Sequence, residues 1–160
     1  MTRKKIIFFS FFFFVVGVAV DYFYQFLISR HYNEEKCTAS LVVFYEDTHA
    51  NLTLDFMYNL KEHRGVVAVS GNYIKNNHPA GNIRRDVSYT WTENRDTYNF
   101  TSTMVNKVKN VETLSDDIIA LVMPDFYVYP QKYINYFIQN QGDSGFLFAI
   151  GKRPLFFCAR

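Results

Sequence analysis

Cysteine, tryptophan and proline are scarce in this chain, which has two Cys, one Trp and four Pro among its 160 residues. The two cysteines form no Cys-x-x-Cys pair and have no neighbouring His, which argues against a catalytic thiol. The sequence also lacks a GxGxxG motif or a phosphate-binding loop. The length leaves room for one domain and excludes a large enzyme fold.

Charged residues are few, at 20% against 49% hydrophobic residues, and this balance excludes disorder as the general state. The 17 basic and 15 acidic residues become 14 of each once Arg3, Lys4, Lys5 and Asp21 are set aside, so the body over 30–160 is neutral. A nucleic-acid-binding domain needs a basic face. We therefore expect no nucleic-acid partner.

Signals for catalysis or metal binding are weak. His31, His49, His63 and His78 do not have the short-range spacing of a zinc site. Residues 142–145 (GDSG) match the surroundings of the nucleophile in trypsin-like proteases, but the chain is too short for that fold, and none of the histidines has that family's sequence context. We predict a turn there, and no catalytic residue, metal or cofactor.

Arg84 and Arg85 form a two-residue basic spot in the body. Such a pair can bind an anionic ligand or a carboxylate of a partner. More commonly one of the two is solvated and the other is ion-paired, and we favour this interpretation.

The N-terminus predicts a membrane anchor. A basic stub, residues 1–5, precedes an apolar run over 6–28, which Asp21 interrupts. A helix over 6–28 would be about 34 Å long, enough to cross a bilayer with some tilt. The basic residues of the stub are Arg3, Lys4 and Lys5. By the positive-inside rule they keep the stub in the cytoplasm and place the rest of the chain outside.

Two alternatives to an uncleaved anchor remain open. The first is a cleaved signal peptide with an apolar region over 6–18 and a cleavage site at 17–19 (GVA). The second is a buried core helix of the folded domain. With the anchor, the predicted organisation is stub 1–5, single transmembrane helix 6–28, linker 29–36 and periplasmic domain 37–160.

Cys37 and Cys158 are predicted to form a disulfide, because an oxidising compartment favours pairing. The bond would bring the first and last strands together, as the closure of a barrel requires. The alternative is two unrelated buried thiols.

The body has the pattern of an antiparallel β domain. Apolar residues alternate with polar ones from Leu52 to Leu60, the best strand signal in the chain. Further strands are predicted over 41–45, 65–71, 83–91, 98–104, 145–150 and 155–158. Turn clusters at 76–82 and 92–96 separate some of them. This spacing is typical of a β sandwich or barrel.

Helical signals are restricted to the stretch after residue 115. A short helix is predicted over 116–123, with acidic residues in its first turn and Pro124 at its end. The secondary structure of the segment 127–139 is ambiguous. One possibility is a helix that begins at Pro130, since proline is favoured in the first turn of a helix.

Aromatic residues make up 19% of the chain, and several fall on predicted strand faces. A small barrel lined by such side chains can hold an apolar ligand. The alternative is that they fill the core. The candidate pocket residues are Phe56, Tyr58, Tyr89, Trp91, Tyr98, Phe100 and Phe146.

The whole chain resembles the FidL-like family of small bacterial inner-membrane proteins. The matching elements are the basic start and apolar anchor, Cys37, and the segments 65–71 (GVVAVSG), 83–89 (IRRDVSY), 145–148 (GFLF) and 154–158 (PLFFC). Family members look like companions of membrane-bound transcription regulators of the ToxR or CadC type. Among the more distant ToxS-like companions, some complexes form a lipocalin-like barrel that binds bile salts.

The resemblance implies a co-regulator and not an enzyme. We therefore expect an inner-membrane protein with a periplasmic, lipocalin-like β barrel or half-barrel that has one or two short helices. It would bind and stabilise the sensor domain of a regulator and share a small apolar ligand with it. The alternatives are a free periplasmic carrier of an apolar ligand, released by signal cleavage, and an envelope structural accessory protein without a regulator partner.

Overall fold

The computed structural model describes residues 3–32, 34–95 and 97–160, and within the N-terminal helix it describes the side chains of 12–27. The chain divides into two compact units with a boundary between Glu34 and Glu35. Met1 and Thr2 of the predicted stub and Asn33 of the predicted linker lie outside the described residues.

Helix α1 (Arg3–Tyr32) forms the first unit and includes the whole of the predicted span 6–28. Its described side chains, over 12–27, are all exposed. In the described part of the chain, no helix combines the length and the apolar character needed to cross a membrane. The anchor stays a prediction, and the side chains of its proposed topology signal, Arg3, Lys4 and Lys5, lie outside the described ones.

The second unit is a closed barrel of eight antiparallel strands that follow one another in sequence order, with β1 next to β8. The predicted mainly β, antiparallel barrel is confirmed, and it is closed rather than a half-barrel or a sandwich. The strands are β1 (Glu34–Tyr45), β2 (Thr48–Asn59), β3 (Arg64–Lys75), β4 (His78–Asn94), β5 (Thr97–Lys107), β6 (Tyr133–Asn140), β7 (Gly145–Ile150) and β8 (Arg153–Ala159).

Short turns make the strands longer than the sequence pattern predicts. Asn76 and Asn77 both adopt positive φ angles, 51° and 63°, as a two-residue hairpin turn requires. The turn therefore occupies two residues of the predicted cluster 76–82, and β4 begins directly after it at His78. Pro79 is accommodated near the start of β4, beside the irregular register between Tyr73 and Ile74.

The core follows from the alternation of side chains along the strands. In β2 the inward residues Leu52, Leu54 and Phe56 are buried, whereas Asn51 and Met57 are exposed. This period of two buries one face of each strand inside the barrel and turns the other outward. The pattern that predicted β2 is thus the pattern that fills the barrel.

The β5–β6 connection, residues 108–132, packs into the barrel and is called the plug below. It contains helix α2 (Asp116–Ile119) and a 3₁₀ turn (Asp125–Tyr127). It buries six apolar side chains against the strands: Ile119, Val122, Met123, Phe126, Tyr127 and Val128. The plug fills the barrel at the end where β5 finishes and β6 begins.

Two helix predictions need correction. The helix predicted over 116–123 ends at Ile119, and the chain continues as turns that bury Val122 and Met123. The alternative of a helix within 127–139 is wrong, because Tyr133–Asn140 forms β6 between β5 and β7. This segment has no clear local preference for helix or strand. Pairing with a strand on each side satisfies its backbone hydrogen bonds, and therefore it forms a strand.

Candidate ligand cavity

A cavity of about 220 Å³ lies inside the barrel at the end opposite the plug, where β2 and β4 finish and β5 begins. Most of its lining is apolar and aromatic, as in small-molecule sites generally. The lining residues are Glu35, Phe56, Tyr58, Leu60, Tyr89, Trp91, Tyr98, Phe100, Ile138, Asn140, Phe146 and Phe148.

All seven aromatic residues that the sequence marks as candidate pocket residues line this cavity. They come from β2, β4, β5 and β7, and the inward faces of these strands bring them together. Ligand binding at the cavity stays a prediction.

Sequence reasoning missed five other lining residues: Glu35, Leu60, Ile138, Asn140 and Phe148. Phe148 carried a signal, because it lies two positions after Phe146 on a predicted strand and so shares its face. Ile138 lay in the ambiguous segment 127–139, Asn140 lay just after it, and Glu35 lay in the predicted linker. Their positions depend on pairings that one sequence does not reveal.

Stacked aromatic rings adjoin the cavity on the core side. Phe148 stacks on Phe56 and on Phe156, with centroid distances of 5.2 and 4.8 Å. Tyr136 meets Phe148 edge to face at 5.3 Å. Contacts of this kind hold the rings in defined positions, so the cavity has fixed walls on this side.

Two polar atoms of the cavity lining are buried without a partner. Among the described residues, neither the Tyr89 hydroxyl nor the Trp91 indole N–H has a hydrogen-bond partner. The two residues are only 1% and 6% exposed. Buried polar groups without a partner are rare and destabilise a fold, so each needs an explanation.

The phenols of the cavity are held in their neutral form. Burial raises the pKa of Tyr89, and the neighbouring Tyr58 raises it further. Burial also raises the pKa of Tyr58, with a further contribution from the Glu35 carboxylate. Phenols with an ordinary pKa already keep their protons at neutral pH, and these shifts act in the same direction, so both hydroxyls can donate hydrogen bonds.

The one carboxylate in the lining is neutralised by an ion pair. Arg160 donates from Nη2 and Nε to the Glu35 carboxylate, the shortest contact being 2.9 Å. The same guanidinium lies 4.4 Å from the centroid of the Phe146 ring and donates through Nη1 to the Gly142 carbonyl. With its donors engaged in this way, Arg160 does not present a free cation to the cavity.

A buried ionic network attaches the plug to β4. Arg85 is fully buried and donates to both carboxylate oxygens of Glu112, at 2.6 and 2.9 Å, and to Asp116 at 3.0 Å. Lys107 pairs with the other oxygen of Asp116. Burial alone would raise the pKa of Asp116, but the hydrogen bonds from Lys107 and Arg85 outweigh it and lower that pKa.

A second polar contact joins the plug to β6. The hydroxyls of Tyr127 and Tyr136 lie 2.8 Å apart, and both residues are buried. Phe126 packs between β4 and β5, with its ring 6.0 Å from Tyr89 and 6.2 Å from Phe100. The plug therefore supports the cavity lining from below.

The predicted disulfide is confirmed: Cys37 and Cys158 are bonded, with their Cα atoms 5.3 Å apart. The bond joins β1 to β8 and so lies on the seam that closes the barrel. Among the described residues, the register of this seam consists of the single pair Thr38–Ala159. For comparison, β2 and β3 pair from Thr48–Lys75 to Asn59–Arg64.

The remaining sequence candidates are not among the residues that line the cavity. Residues 142–144 form an exposed 3₁₀ turn before β7. His49 packs against Phe44, and His63 packs against Trp91 at 4.5 Å. His78 is exposed at the start of β4, and the side chain of His31 is outside the described ones. Within the described residues, no three His, Cys, Asp or Glu side chains form a group that could hold a metal.

Known sequences resemble this chain over nearly its whole length. The family model of the YqeJ C-terminal domain matches residues 34–158. The chain belongs to this family. A relative from Escherichia coli (strain K12), the uncharacterized protein YqeJ, is 42% identical over 147 residues, which is 92% of this chain and 92% of the relative. No solved structure matches the chain.

The YqeJ C-terminal domain match begins at the first residue of β1 and ends at Cys158, so it includes both bonded cysteines and all of the cavity lining. These matches do not name the FidL-like family or its ToxS-like relatives. That resemblance stays a prediction, and so do the partner and the location that it implies.

Proposed function

We propose that the barrel is a receptor for a small apolar ligand, bound in the cavity opposite the plug. The observation that carries this proposal is the aromatic cavity itself, which is closed on the core side by stacked rings and is lined by two residues, Tyr89 and Trp91, that carry buried donors without partners. Protein interiors are close-packed. If the aromatic side chains served only as a core, they would not leave a cavity of this size between them.

Binding would be driven mainly by removal of apolar surface from water. The lining offers rings on several sides, and each Å² of buried apolar surface contributes about 25 cal/mol. The fixed positions of the rings lower the cost of ordering the site when the ligand enters. Such a site suits a receptor, since it is largely formed before binding.

A direct test is calorimetric titration of the full chain with 2-ethylnaphthalene, a neutral two-ring hydrocarbon. We expect binding to the unmodified protein and loss of binding in Ile138→Phe, which places a larger side chain in the cavity. The matched control is Met57→Phe, which adds a ring on the exposed outer face of β2 and should bind normally. If neither this hydrocarbon nor its ketone analogue 2-acetylnaphthalene binds the unmodified protein, the proposal is contradicted.

We propose further that α1 holds this receptor at the bacterial inner membrane, with the barrel in the periplasm. The uninterrupted helix over 6–28 supports this, as do the apolar side chains exposed along 12–27. Exposed apolar side chains in this number favour an apolar environment. Membrane fractionation with alkaline extraction tests the anchor. Recovery in the soluble periplasm, with an N-terminus near residue 20, would favour the free carrier instead.

The second candidate function, a companion of a ToxR- or CadC-type regulator, is favoured by the seam between β1 and β8. Apolar side chains are exposed on the outer face of both strands, among them Phe44 and Phe157. Among the described residues the barrel closes here through the single pair Thr38–Ala159, so backbone groups of β1 and β8 beside this pair can accept an added strand. The partner we propose is an extended segment of the regulator's periplasmic domain.

Site-specific photocrosslinking in native membranes tests this partnership. A crosslinker at Phe44 or Phe157 should capture a single-span protein with a cytoplasmic DNA-binding domain. The matched control position is Met104, which is 50% exposed on β5, between Phe157 at 44% and Phe44 at 74%, and which should not capture it. Capture from all three positions, or from none, would argue against the seam as the docking site of a regulator. The remaining interpretation would then be a structural accessory protein without a regulator partner.

A further inference from the structure

We propose that the ligand of the cavity is a neutral molecule with one or two rings that carries a hydrogen-bond acceptor, such as the carbonyl oxygen of a ketone, ester or lactone. This inference rests on the proposed receptor function and deepens it. Three features of the cavity support it: two unpartnered donors, a neutralised charge and a small volume.

The unpartnered atoms require an acceptor. The Trp91 indole N–H can only donate, and the Tyr89 hydroxyl, a phenol, carries its proton at neutral pH and can donate as well. Both residues line the cavity. A purely hydrocarbon ligand would leave both donors without a partner, whereas an acceptor oxygen would satisfy at least one of them. The site is therefore better matched to a carbonyl compound than to a hydrocarbon.

The charges at the cavity indicate a neutral ligand. Arg160 is the cation beside the lining, and its Nε and Nη2 groups already donate to Glu35. A carboxylate on the ligand would have to displace Glu35 from this pair or lie next to its negative charge. A ligand cation would meet a Glu35 carboxylate that is already paired. Neither charged form gains a free counter-ion from the described residues.

The volume limits the ligand to a small molecule. At about 220 Å³ the cavity lies between the roughly 150 Å³ that suffices for benzene and the 300 Å³ or more that is typical of drug-sized ligands. One or two rings with a short substituent fit this range. A steroid skeleton or a long acyl chain does not.

The experiment compares two probes of nearly the same shape, 2-acetylnaphthalene and 2-ethylnaphthalene, which differ in the carbonyl oxygen. Both are titrated into the full-length protein and into Trp91→Phe and Tyr89→Phe, which keep an aromatic ring in place. We expect at least one of these substitutions to lower the affinity for 2-acetylnaphthalene about ten-fold and the affinity for 2-ethylnaphthalene less than two-fold. In the control Tyr133→Phe, which removes an exposed hydroxyl outside the cavity lining, the two affinities should keep their ratio.

The outcomes separate this inference from the function on which it rests. If neither probe binds the unmodified protein, the receptor proposal is wrong. If both bind but Trp91→Phe and Tyr89→Phe leave the ratio of their affinities unchanged, the receptor remains and the acceptor inference is overturned. Stronger binding of the anion 2-naphthoate than of 2-acetylnaphthalene would overturn the inference that the ligand is neutral. Circular dichroism melting shows whether each variant is folded, and either folded variant is sufficient for the comparison.

Discussion

The guanidinium of Arg85 donates to both carboxylate oxygens of Glu112, and this pair lies wholly inside the barrel, with the two side chains 0% and 2% exposed. A charge pair so deeply buried has lost its hydration, and it is held by bidentate geometry. Since Arg85 belongs to β4 and Glu112 to the plug, the pair fixes the plug relative to the strands that line the cavity.

Breaking this pair from one side should be severe. Arg85→Met leaves the Glu112 carboxylate buried without its main partner, and we expect a loss of about 3–5 kcal/mol in the free energy of unfolding, measured by urea denaturation. The double variant Arg85→Met/Glu112→Leu should recover much of this loss, because it removes both charges.

The adjacent Arg84 provides the matched control, since its side chain is partly exposed. Arg84→Met should change the stability by less than about 0.5 kcal/mol, as most surface substitutions do. Equal losses from Arg84→Met and Arg85→Met would contradict the assigned role of Arg85.

Acidification should weaken the same network through Asp116. The folded-state pKa of Asp116 is lowered by its hydrogen bonds with Lys107 and Arg85. Its stabilising contribution is therefore present above the unfolded-state value near pH 4 and disappears as the pH falls through the lower folded-state value. Melting temperatures of the unmodified protein and Asp116→Asn should differ at pH 6 and converge as the pH approaches 2. A constant difference over this range would argue against the prediction.

Reduction of the disulfide should destabilise the barrel. The bond joins residues separated by 121 positions, and removal of such a cross-link costs about 2–5 kcal/mol. We expect Cys158→Ser to melt at a lower temperature than the unmodified protein. After treatment with dithiothreitol, the unmodified protein should melt at the same temperature as Cys158→Ser. The reductant should not affect Cys158→Ser further. An unchanged melting temperature in the variant would show that the bond is dispensable.

The two buried hydroxyls of Tyr127 and Tyr136 should behave as a coupled pair. Either single substitution by Phe leaves one hydroxyl buried without a partner, at a cost of about 1–3 kcal/mol. The double variant Tyr127→Phe/Tyr136→Phe should lose clearly less than the sum of the two single losses in chemical denaturation. Additive losses would indicate that the contact contributes nothing.

The strands of the barrel were largely predictable because its inner and outer faces differ in polarity. Leu52, Leu54 and Phe56 alternate with outward residues, and the same period placed Tyr89 and Trp91 on one inward face of β4. The strand β6 was not predictable, because its segment also satisfies a helical pattern and its pairing with β5 decides the matter. The plug likewise depends on contacts distant in sequence.

For the cavity, the sequence showed the aromatic residues but not the charges. Arg85 lies on the same face of β4 as Ile83 and Val87, so its burial and its need for a counter-ion could be inferred. Its partner Glu112 could not, because nothing in the sequence brings the plug to β4. Glu35 and Arg160 meet for the same reason: they lie on the two strands that close the barrel.

The strand order has a consequence for the assembly of the barrel. Each of the strands β2 to β8 pairs with the strand just before it, so these contacts can form as the chain grows. The seam between β1 and β8 joins distant positions and cannot form before the last strand, so it has the largest loop-closure cost of the barrel contacts. With two cysteines in the sequence there is one possible intramolecular pairing. Maturation therefore needs an oxidant, but it does not need an enzyme that rearranges disulfides.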